Sequence, residues 1–221
     1  MMYLPNRCGS KPSTNKVYGA SYYAGLMELD GDTFKLYNDT NSPLSNTEGD
    51  ALRTRVSGLA VDDDGYLWVS TFKPISGIPL HRLAPDGTWQ SFGGDCGEKD
   101  FFQIAIDPNG YKWIISASTN SGVIVFDEGN ADNLNDDRCR VITASNSDLP
   151  TNETNCIAVD KQGDVWVGTN QGIIIFECGS AAFEDNCKGS LRTVEIDGFL
   201  EYLFKTQAVQ SIAVDEPTAN G

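Results

Sequence analysis

One frame of residues recurs three times along the chain: a small apolar run containing Ala, then Asp, two variable residues, Gly, two variable residues and Trp. Its copies read LAVDDDGYLW from Leu59, IAIDPNGYKW from Ile104 and IAVDKQGDVW from Ile157. The spacing between copies is 45 and then 53 residues, at the Asp and at the Trp alike. A fourth beginning, SIAVD, starts at Ser211. A period of this length indicates a repeat architecture in which each copy supplies one supersecondary unit.

Each copy continues with two more extended runs, the first opened by Gly77, Gly122 or Gly172. The second run reads TWQSF, CRVIT or LRTVEI, and the N-terminal KVYGASYYAGLMELDGDTFKLYN resembles the last three strands of a copy. Four short strands per repeat, separated by turn residues, predict an all-β protein, a β-propeller of four-stranded antiparallel blades with three full and two partial repeats. We expect an irregular segment at 1–14 and blade parts at about 15–44, 56–92, 102–143, 156–196 and 209–215.

The frame residues are expected to be architectural. The Asp can accept amides of the turn, the Gly can adopt positive φ, and the Trp offers a large apolar surface for packing between blades. The alternative is a ring of ligands or sugar-stacking platforms, but a repeat imposes the same residues on every unit. The residues concerned are Asp62, Gly65, Trp68, Asp107, Gly110, Trp113, Asp160, Gly163 and Trp166.

Charge and hydropathy exclude several classes of partner. The chain of 221 residues carries a net charge of −15, so it repels phosphate backbones and anionic membranes, and we expect no nucleic-acid partner. No apolar run approaches the about 20 residues of a membrane span, and no signal-peptide core is visible after Met1. The carboxylates of Asp62 to Asp64 lack the rest of a calcium loop, and CxxC pairs are missing, so neither metal nor cofactor is expected.

The six cysteines suggest one disulfide. Cys178 and Cys187 flank a short segment between two apolar runs and could close a loop. Cys156 lies within an apolar strand pattern and is expected to be a buried thiol. The remaining cysteines, Cys8, Cys96 and Cys139, have no partner that the sequence indicates.

The repeat resembles the two-component-regulator propeller family, found in the sensor halves of hybrid regulators of Bacteroidota. The elements NSPL from Asn41 and NSDL from Asn146 resemble PorZ-type propellers, cell-surface components associated with the type IX secretion system. This resemblance implies a cell-envelope location, in the periplasm or on the outer surface. It also implies a propeller of about seven blades, so we expect the chain to be a fragment of a larger propeller; a four-bladed ring closed by Ser211–Asp215 against Lys16–Ala20 is the alternative.

Function is expected in the loops that differ between repeats. These loops are SNTEGDALRTRV, GGDCGEKDFF and SDLPTNET, and their candidate binding residues are Arg53, Arg55, Lys99 and Phe101. The resemblance favours a non-catalytic propeller that binds a protein partner or a surface glycan. One alternative is a periplasmic sensor propeller that recognises oligosaccharide, and the second is a propeller lyase or lactonase using His81, the single histidine of the chain.

Overall fold

The computed structural model describes residues 16–93, 96–118, 122–131, 133 and 135–215. The expected irregular segment at 1–14 lies outside these residues. Within them the chain divides into two compact units, one formed by 16–104 and 126–139 and the other by 105–125 and 140–215. No helix in this part of the chain is long and apolar enough to cross a membrane.

Antiparallel β-sheets follow one another along the chain. The first contains β1 (Val17–Ser21), β2 (Gly25–Asp30) and β3 (Thr33–Tyr37). The second contains β4 (Val56–Val61), β5 (Leu67–Thr71), β6 (Leu80–Leu83) and β7 (Trp89–Phe92). The third contains β8 (Phe101–Ile106), β9 (Lys112–Ser116), β10 (Val123–Asp127) and β11 (Arg138–Ile142). The fourth contains β12 (Thr154–Val159), β13 (Val165–Thr169) and β14 (Gly172–Phe176), and β15 (Thr193–Ile196) pairs with β16 (Phe199–Tyr202). The four sheets of three or four strands are propeller blades, as the repeat predicts.

The Asp of each frame organises both the turn and the Trp. In the first copy, Asp62 Oδ1 accepts the amides of Asp64 and Tyr66 at 3.1 and 2.9 Å, and Gly65 has φ +85°. The second carboxylate oxygen accepts the indole Nε1–H of Trp68 at 2.8 Å. The same indole bond is 3.0 Å from Trp113 to Asp107 and 2.7 Å from Trp166 to Asp160. The Asp therefore supplies a partner for the one polar atom of the Trp ring.

With its N–H satisfied, the Trp packs among aromatic rings. Trp68 is fully buried, with its ring centroid 5.1 Å from Phe92 of β7 and 6.4 Å from Phe126 of β10. In the next copy, Trp113 lies 5.4 Å from Phe176 of β14. In the pairs Trp68–Phe126 and Trp113–Phe176, the Trp on the second strand of one blade contacts the Phe on the third strand of the following blade. Ring pairs of this kind add about 0.5–1.5 kcal/mol beyond the area they bury.

The fourth repeat departs from the expected four strands. β15 pairs with β16 rather than with β14, whose Ile175 instead forms an isolated bridge with Ser190. The pairing of β15 with β16 has a local cause: Asp197 and Gly198 both have positive φ, 51° and 83°, and an Asp-Gly turn of this kind closes a two-residue hairpin. The expectation that LRTVEI completes the fourth blade is therefore wrong.

The segment SIAVD, which begins a fourth copy of the frame at Ser211, also differs from expectation. Ser211–Asp215, expected to be a first strand, forms no strand, and the adjacent Val209 instead donates its amide to the carbonyl of Thr169 at 2.9 Å. A first strand gains its hydrogen bonds from a second strand of its own blade. No described strand pairs with these residues.

The described residues form two disulfides. Cys178 and Cys187 are joined around the short 3-10 turn Gly179–Ala181, and Cys96 is joined to Cys139 of β11, a pairing that the sequence did not indicate. Cys156 is a buried free thiol, and burial raises its pKa. Cys8 lies outside the described residues.

His81 is a core residue of β6. It is 0% exposed, its Nδ1 lies 2.9 Å from Ser91 Oγ, and its ring is edge-on to Trp89. Burial lowers the pKa of His81 from 6.5 to about 4, against a smaller opposing effect from the backbone of Ile78. The imidazole is therefore neutral at physiological pH.

Loss of the Asp107 carboxylate should destabilise the fold. Asp107→Ala leaves the buried Trp113 Nε1 and two turn amides without their acceptor, so we expect the free energy of unfolding to fall by about 2–3 kcal/mol. Urea denaturation measures this change. The control is Asp63→Ala, which removes an exposed carboxylate of the first turn and should change stability by less than about 0.5 kcal/mol. Equal losses in the two variants would contradict the role assigned to Asp107.

The buried His81 should make stability pH-dependent. Above pH 6.5 the imidazole is neutral in both the folded and the unfolded chain; below it the unfolded chain takes up a proton that the folded chain binds only near pH 4. Stability therefore falls with pH across this window, by about 2 kcal/mol between pH 6.5 and 5. Urea denaturation should show a flatter profile for His81→Asn. Parallel profiles for the two proteins would show that the folded chain protonates His81 freely.

Candidate functional site

A surface that we name the platform lies at one end of the first two blades. Antiparallel strands place the turn between second and third strands at the same end as the connection from the fourth strand to the next blade. Two such turns and two such connections meet here, within one compact unit. The platform residues are Tyr22, Tyr23, Leu52, Arg53, Arg55, Phe72, Lys73, Ile75 and Lys99.

Arginines and aromatic rings are stacked on the platform. The guanidinium of Arg53 lies 4.6 Å from the ring centroid of Tyr23, and that of Arg55 lies 4.9 Å from Tyr22. Tyr22 also packs on Phe72, with centroids 5.7 Å apart, and lies edge-on to Tyr23. Cation–π pairs at exposed sites stabilise by about 0.5–1 kcal/mol, so these side chains hold one another in place.

Acidic side chains orient the cations. Asp50 Oδ2 accepts a hydrogen bond from Arg55 Nη2 at 3.2 Å and forms an ion pair with Arg53 Nη1, also at 3.2 Å. Lys99 Nζ lies 3.1 Å from Glu48 Oε1, and a further pair at 3.6 Å joins Lys73 to Asp100. Half of the Arg53 and Lys99 side chains remains exposed, 47% and 48%. Each partly exposed pair adds little stability, but together they set the direction in which the cations point.

Backbone hydrogen bonds fasten the loops to one another. The carbonyl of Lys73 accepts the amide of Glu48 at 2.7 Å, and the amide of Lys73 donates to the carbonyl of Lys99 at 3.0 Å. The amide of Phe72 donates to Arg55, and that of Ile75 to Asn46, at 3.0 and 2.8 Å. Lys73 has φ +47°, an uncommon conformation for a residue with a Cβ. The platform is therefore preorganised by its backbone.

Sequence reasoning located part of this surface. Arg53, Arg55 and Lys99 lie on the platform, but Phe101 does not: it is 2% exposed in β8, and its carbonyl accepts Ser57 Oγ at 2.7 Å. The expectation that Phe101 is a binding residue of a loop is wrong, because it begins the strand that the loop precedes. Phe72 was missed. The antiparallel order of strands was the signal that could have found it, since its turn shares an end with the predicted loops.

The N-S-x-L elements are structural. Asn41 Nδ2 donates to the carbonyl of Leu36 at 2.8 Å, Ser42 Oγ donates to that of Asn38 at 2.6 Å, and Leu44 is buried. In the second copy, which belongs to the loop SDLPTNET, Asn146 donates to Val141, Ser147 to Thr143, and Leu149 is buried. The element therefore caps the end of a fourth strand and anchors the following connection in the core.

The described residues contain no group of three or more His, Cys, Asp or Glu side chains that could hold a metal ion. The frame carboxylates accept turn amides and indole N–H groups instead. His81 is buried and neutral, so in this structure it cannot contact a substrate as a general base. The platform presents exposed aromatic rings, exposed aliphatic side chains and cations that are paired with carboxylates.

An open groove of about 690 Å³ lies beside Trp166, the Trp of the third copy of the frame. Trp166 lines it with Ile173, Phe204, Val209 and Ala213. Trp166 is less buried than Trp68 and Trp113, and no ring contact to a third-strand Phe is formed for it among the described residues.

Comparison with known proteins supports the resemblance. The model of the two component regulator propeller family matches residues 52–73 and 148–171, which include the first and third copies of the frame and the last two residues, Asp148 and Leu149, of the second N-S-x-L element. No curated protein sequence matches the chain significantly.

Solved structures show the fold. PorZ, an essential bacterial surface component of the type-IX secretion system of Porphyromonas gingivalis, is 21% identical with a TM-score of 0.75 over 91% of this chain. The extracellular domain of a hybrid two component system of B. thetaiotaomicron is 21% identical with a TM-score of 0.55 over 89% of the chain. A gluconolactonase of Xanthomonas campestris is 15% identical with a TM-score of 0.57 over 89%.

The chain spans 29% of the PorZ chain, 26% of the two-component domain and 60% of the gluconolactonase. It thus covers less than two thirds of each of these three chains. By fold and by two matched repeats, the chain is a β-propeller protein similar to the two-component-regulator propellers and to PorZ.

Proposed function

We propose that the chain is a non-catalytic binding propeller of a cell-envelope protein and that the platform holds a protein partner or a surface glycan. The observation that carries this proposal is the preorganised stack of Arg53 on Tyr23 and Arg55 on Tyr22. Exposed aromatic rings and arginines, held by loops on a rigid sheet, are typical of recognition surfaces. The burial of His81 weighs against the alternative of a lyase or lactonase.

The disulfides support an envelope location. The pairs Cys96–Cys139 and Cys178–Cys187 form and persist in oxidising compartments, such as the periplasm and the cell surface. The structures that the chain resembles include a bacterial surface component and an extracellular domain. The disulfides and the resembling structures both support a location in the periplasm or on the outer cell surface.

A second candidate is the sensor propeller of a hybrid two-component regulator, which the matched family model favours. A sensor binds a diffusible oligosaccharide, whereas a scaffold binds a component of the envelope itself. Thermal unfolding in the presence of soluble oligosaccharides distinguishes them, because a ligand that binds only the folded state raises the melting temperature.

Binding to isolated envelopes should depend on the platform. We expect Tyr23→Ala and Arg53→Ala each to weaken binding of the purified protein to envelopes of a bacterium of the Bacteroidota by about tenfold, since hot-spot Tyr and Arg side chains contribute about 1–2 kcal/mol or more. Co-sedimentation measures this affinity. The matched control Lys161→Ala removes an exposed cation from a frame turn and should bind as the wild type does. Unchanged binding in both platform variants would contradict the proposal.

The disulfide pattern gives an independent test of location. Peptide mapping without reduction should recover the pairs Cys96–Cys139 and Cys178–Cys187 from envelope-derived protein, with Cys156 alkylated only after unfolding. The double variant Cys96→Ser/Cys139→Ser should lose about 2–4 kcal/mol of unfolding free energy, because its 43-residue loop is no longer closed. Recovery of four free thiols at these positions would contradict an envelope location.

A further inference from the structure

We infer that two copies of this chain associate head to tail. In this contact the Trp166 side of the fourth sheet in one copy receives the first sheet, β1 to β3, of the other copy, and Ser211–Asp215 adds a strand to β1. Three observations carry the inference: an uncovered face on the first sheet, an uncovered face beside Trp166, and two strand edges that complement each other. The contact uses none of the platform residues, so it adds an assembly to the proposed binding function.

The first sheet has one buried and one exposed face. The strand register places Val17, Leu29 and Phe34 directly opposite one another, in one row across β1, β2 and β3. Directly paired residues project from the same face of a sheet. This row is 51%, 37% and 60% exposed, whereas Leu26 and Tyr37 on the opposite face are buried in the core of the first two sheets. An apolar sheet face is therefore left open to solvent.

The equivalent face of the fourth sheet is covered by the preceding blade. Leu29 of β2 and Phe176 of β14 each lie four residues after the Gly that opens a third strand, and both glycines have φ +102°. Phe176 and its cross-strand partner Val165 are each 1% exposed, and the ring centroid of Trp113 from the preceding blade lies 5.4 Å from that of Phe176. The row at Leu29 is thus the position at which a blade receives the Trp of the blade before it.

The Trp166 side of the fourth sheet is the complementary face. Trp113 packs on a third-strand Phe176, but Trp166 contacts no such ring among the described residues. It lines the open groove of about 690 Å³ together with Phe204 and Val214, which are 50% and 37% exposed. A Trp without a following blade and a row without a preceding blade are the two halves of the contact that Trp113 and Phe176 already form within the chain.

Val209 leads into its segment at the place where a following blade begins. Ser70 of the second sheet donates its hydroxyl to the carbonyl of Phe102 in β8, the first strand of the next blade. Cys156 belongs to the equivalent cross-strand pair of the fourth sheet, and its Sγ lies 3.6 Å from the carbonyl of Val209. Ser211–Asp215 therefore starts where a first strand starts, and no second strand pairs with it among the described residues.

Strand β1 is a second strand without a first strand. Within the part of the chain that the structure describes it pairs with β2 alone, so it is the edge of its sheet and a template for strand addition. In the fourth sheet the register pairs Val159 of the first strand with Val165 of the second. The same register pairs Val214 of one copy with Val17 of the other. The added strand supplies backbone hydrogen bonds and gives the first sheet its fourth strand.

The chain carries both halves of this contact, which identifies the partner as a second copy. The two edges stay unpaired among the described residues of one chain, and two copies pair them. A head-to-tail contact closes into a ring or continues as a filament, and two copies of four blades supply eight, within the about four to eight blades of closed propellers. Each copy carries −15, so apolar burial and backbone pairing, not charge, drive the association.

Sedimentation equilibrium of the purified chain tests the contact. We expect a reversible oligomer that dissociates on dilution and that salt strengthens, because salt screens the repulsion between acidic copies. Leu29→Asp and Val214→Asp should each weaken association by about tenfold or more, since each places a carboxylate on a face that the contact buries. The matched control is Val61→Asp, at the frame position equivalent to Val214 and similarly exposed, 41% against 37%, which should associate as the wild type does.

A mixture of the two defective variants tests the head-to-tail geometry. Leu29→Asp damages the receiving face and leaves the Trp166 side intact, and Val214→Asp does the reverse. The mixture should therefore recover association between unlike chains that neither variant shows alone, and urea denaturation verifies that both variants fold. Failure of the mixture to associate, or unchanged association of both single variants, would overturn the inference.

Disulfide trapping tests the strand register and leaves both faces apolar. Chains that carry Val17→Cys are mixed with chains that carry Val214→Cys and oxidised, because directly paired residues have Cβ atoms close enough to bridge. We expect a covalent pair of unlike chains. Phe34→Cys replaces Val17→Cys in the matched control: it lies in the same row but two strands farther from the added strand, and should trap much less. Each variant is also oxidised alone, to account for the native thiols.

Two outcomes would identify other occupants of these faces. A chain that stays monomeric at every concentration would overturn the inference and leave the faces to a different protein or to a further segment. Trapping within a single chain that carries both Val17→Cys and Val214→Cys, with no trapping between chains, would overturn it as well and show closure within one copy.

Discussion

The hydrogen bond from the Trp indole to the frame Asp is the interaction on which this fold depends. It joins Trp68 to Asp62, Trp113 to Asp107 and Trp166 to Asp160 at 2.7–3.0 Å. Because the same carboxylate also accepts the turn amides, one side chain fixes the first hairpin and satisfies the polar atom of the ring. The indole can then be buried against the next blade without an unpaired donor. The residues that look most chemical are thus used by the architecture.

We propose that function lies in the parts of the chain that do not repeat. The frame fixes strand directions, and strand directions bring turns and connections together at one end of a blade. There the stacked arginines, the ionic pairs of Asp50 and the αL backbone of Lys73 form an ordered surface. A rigid scaffold that presents unlike loops explains how a repeated fold can offer a specific site.

The sequence pattern predicted those features of the fold that are determined by residues close together in the chain. The period of the frame predicted the strands, the turns at Gly65 and its equivalents, and the loops that contain Arg53 and Arg55. Other features depend on distant or competing interactions. The partner of Cys96 lies 43 residues away, and its identity requires the fold. The fourth repeat differs because β15 pairs with β16 through an Asp-Gly turn at Asp197, and periodicity gives that turn no weight.

The central claim is that frame residues support the fold and platform residues support binding. Saturation mutagenesis with two readouts on every variant, cellular abundance of the folded chain and envelope binding per folded molecule, tests it most directly. The account predicts that substitutions of the frame Asp and Trp lower abundance and leave binding per molecule unchanged, while substitutions at Tyr23 and Arg53 do the reverse. Frame substitutions that spare abundance yet abolish binding would contradict it.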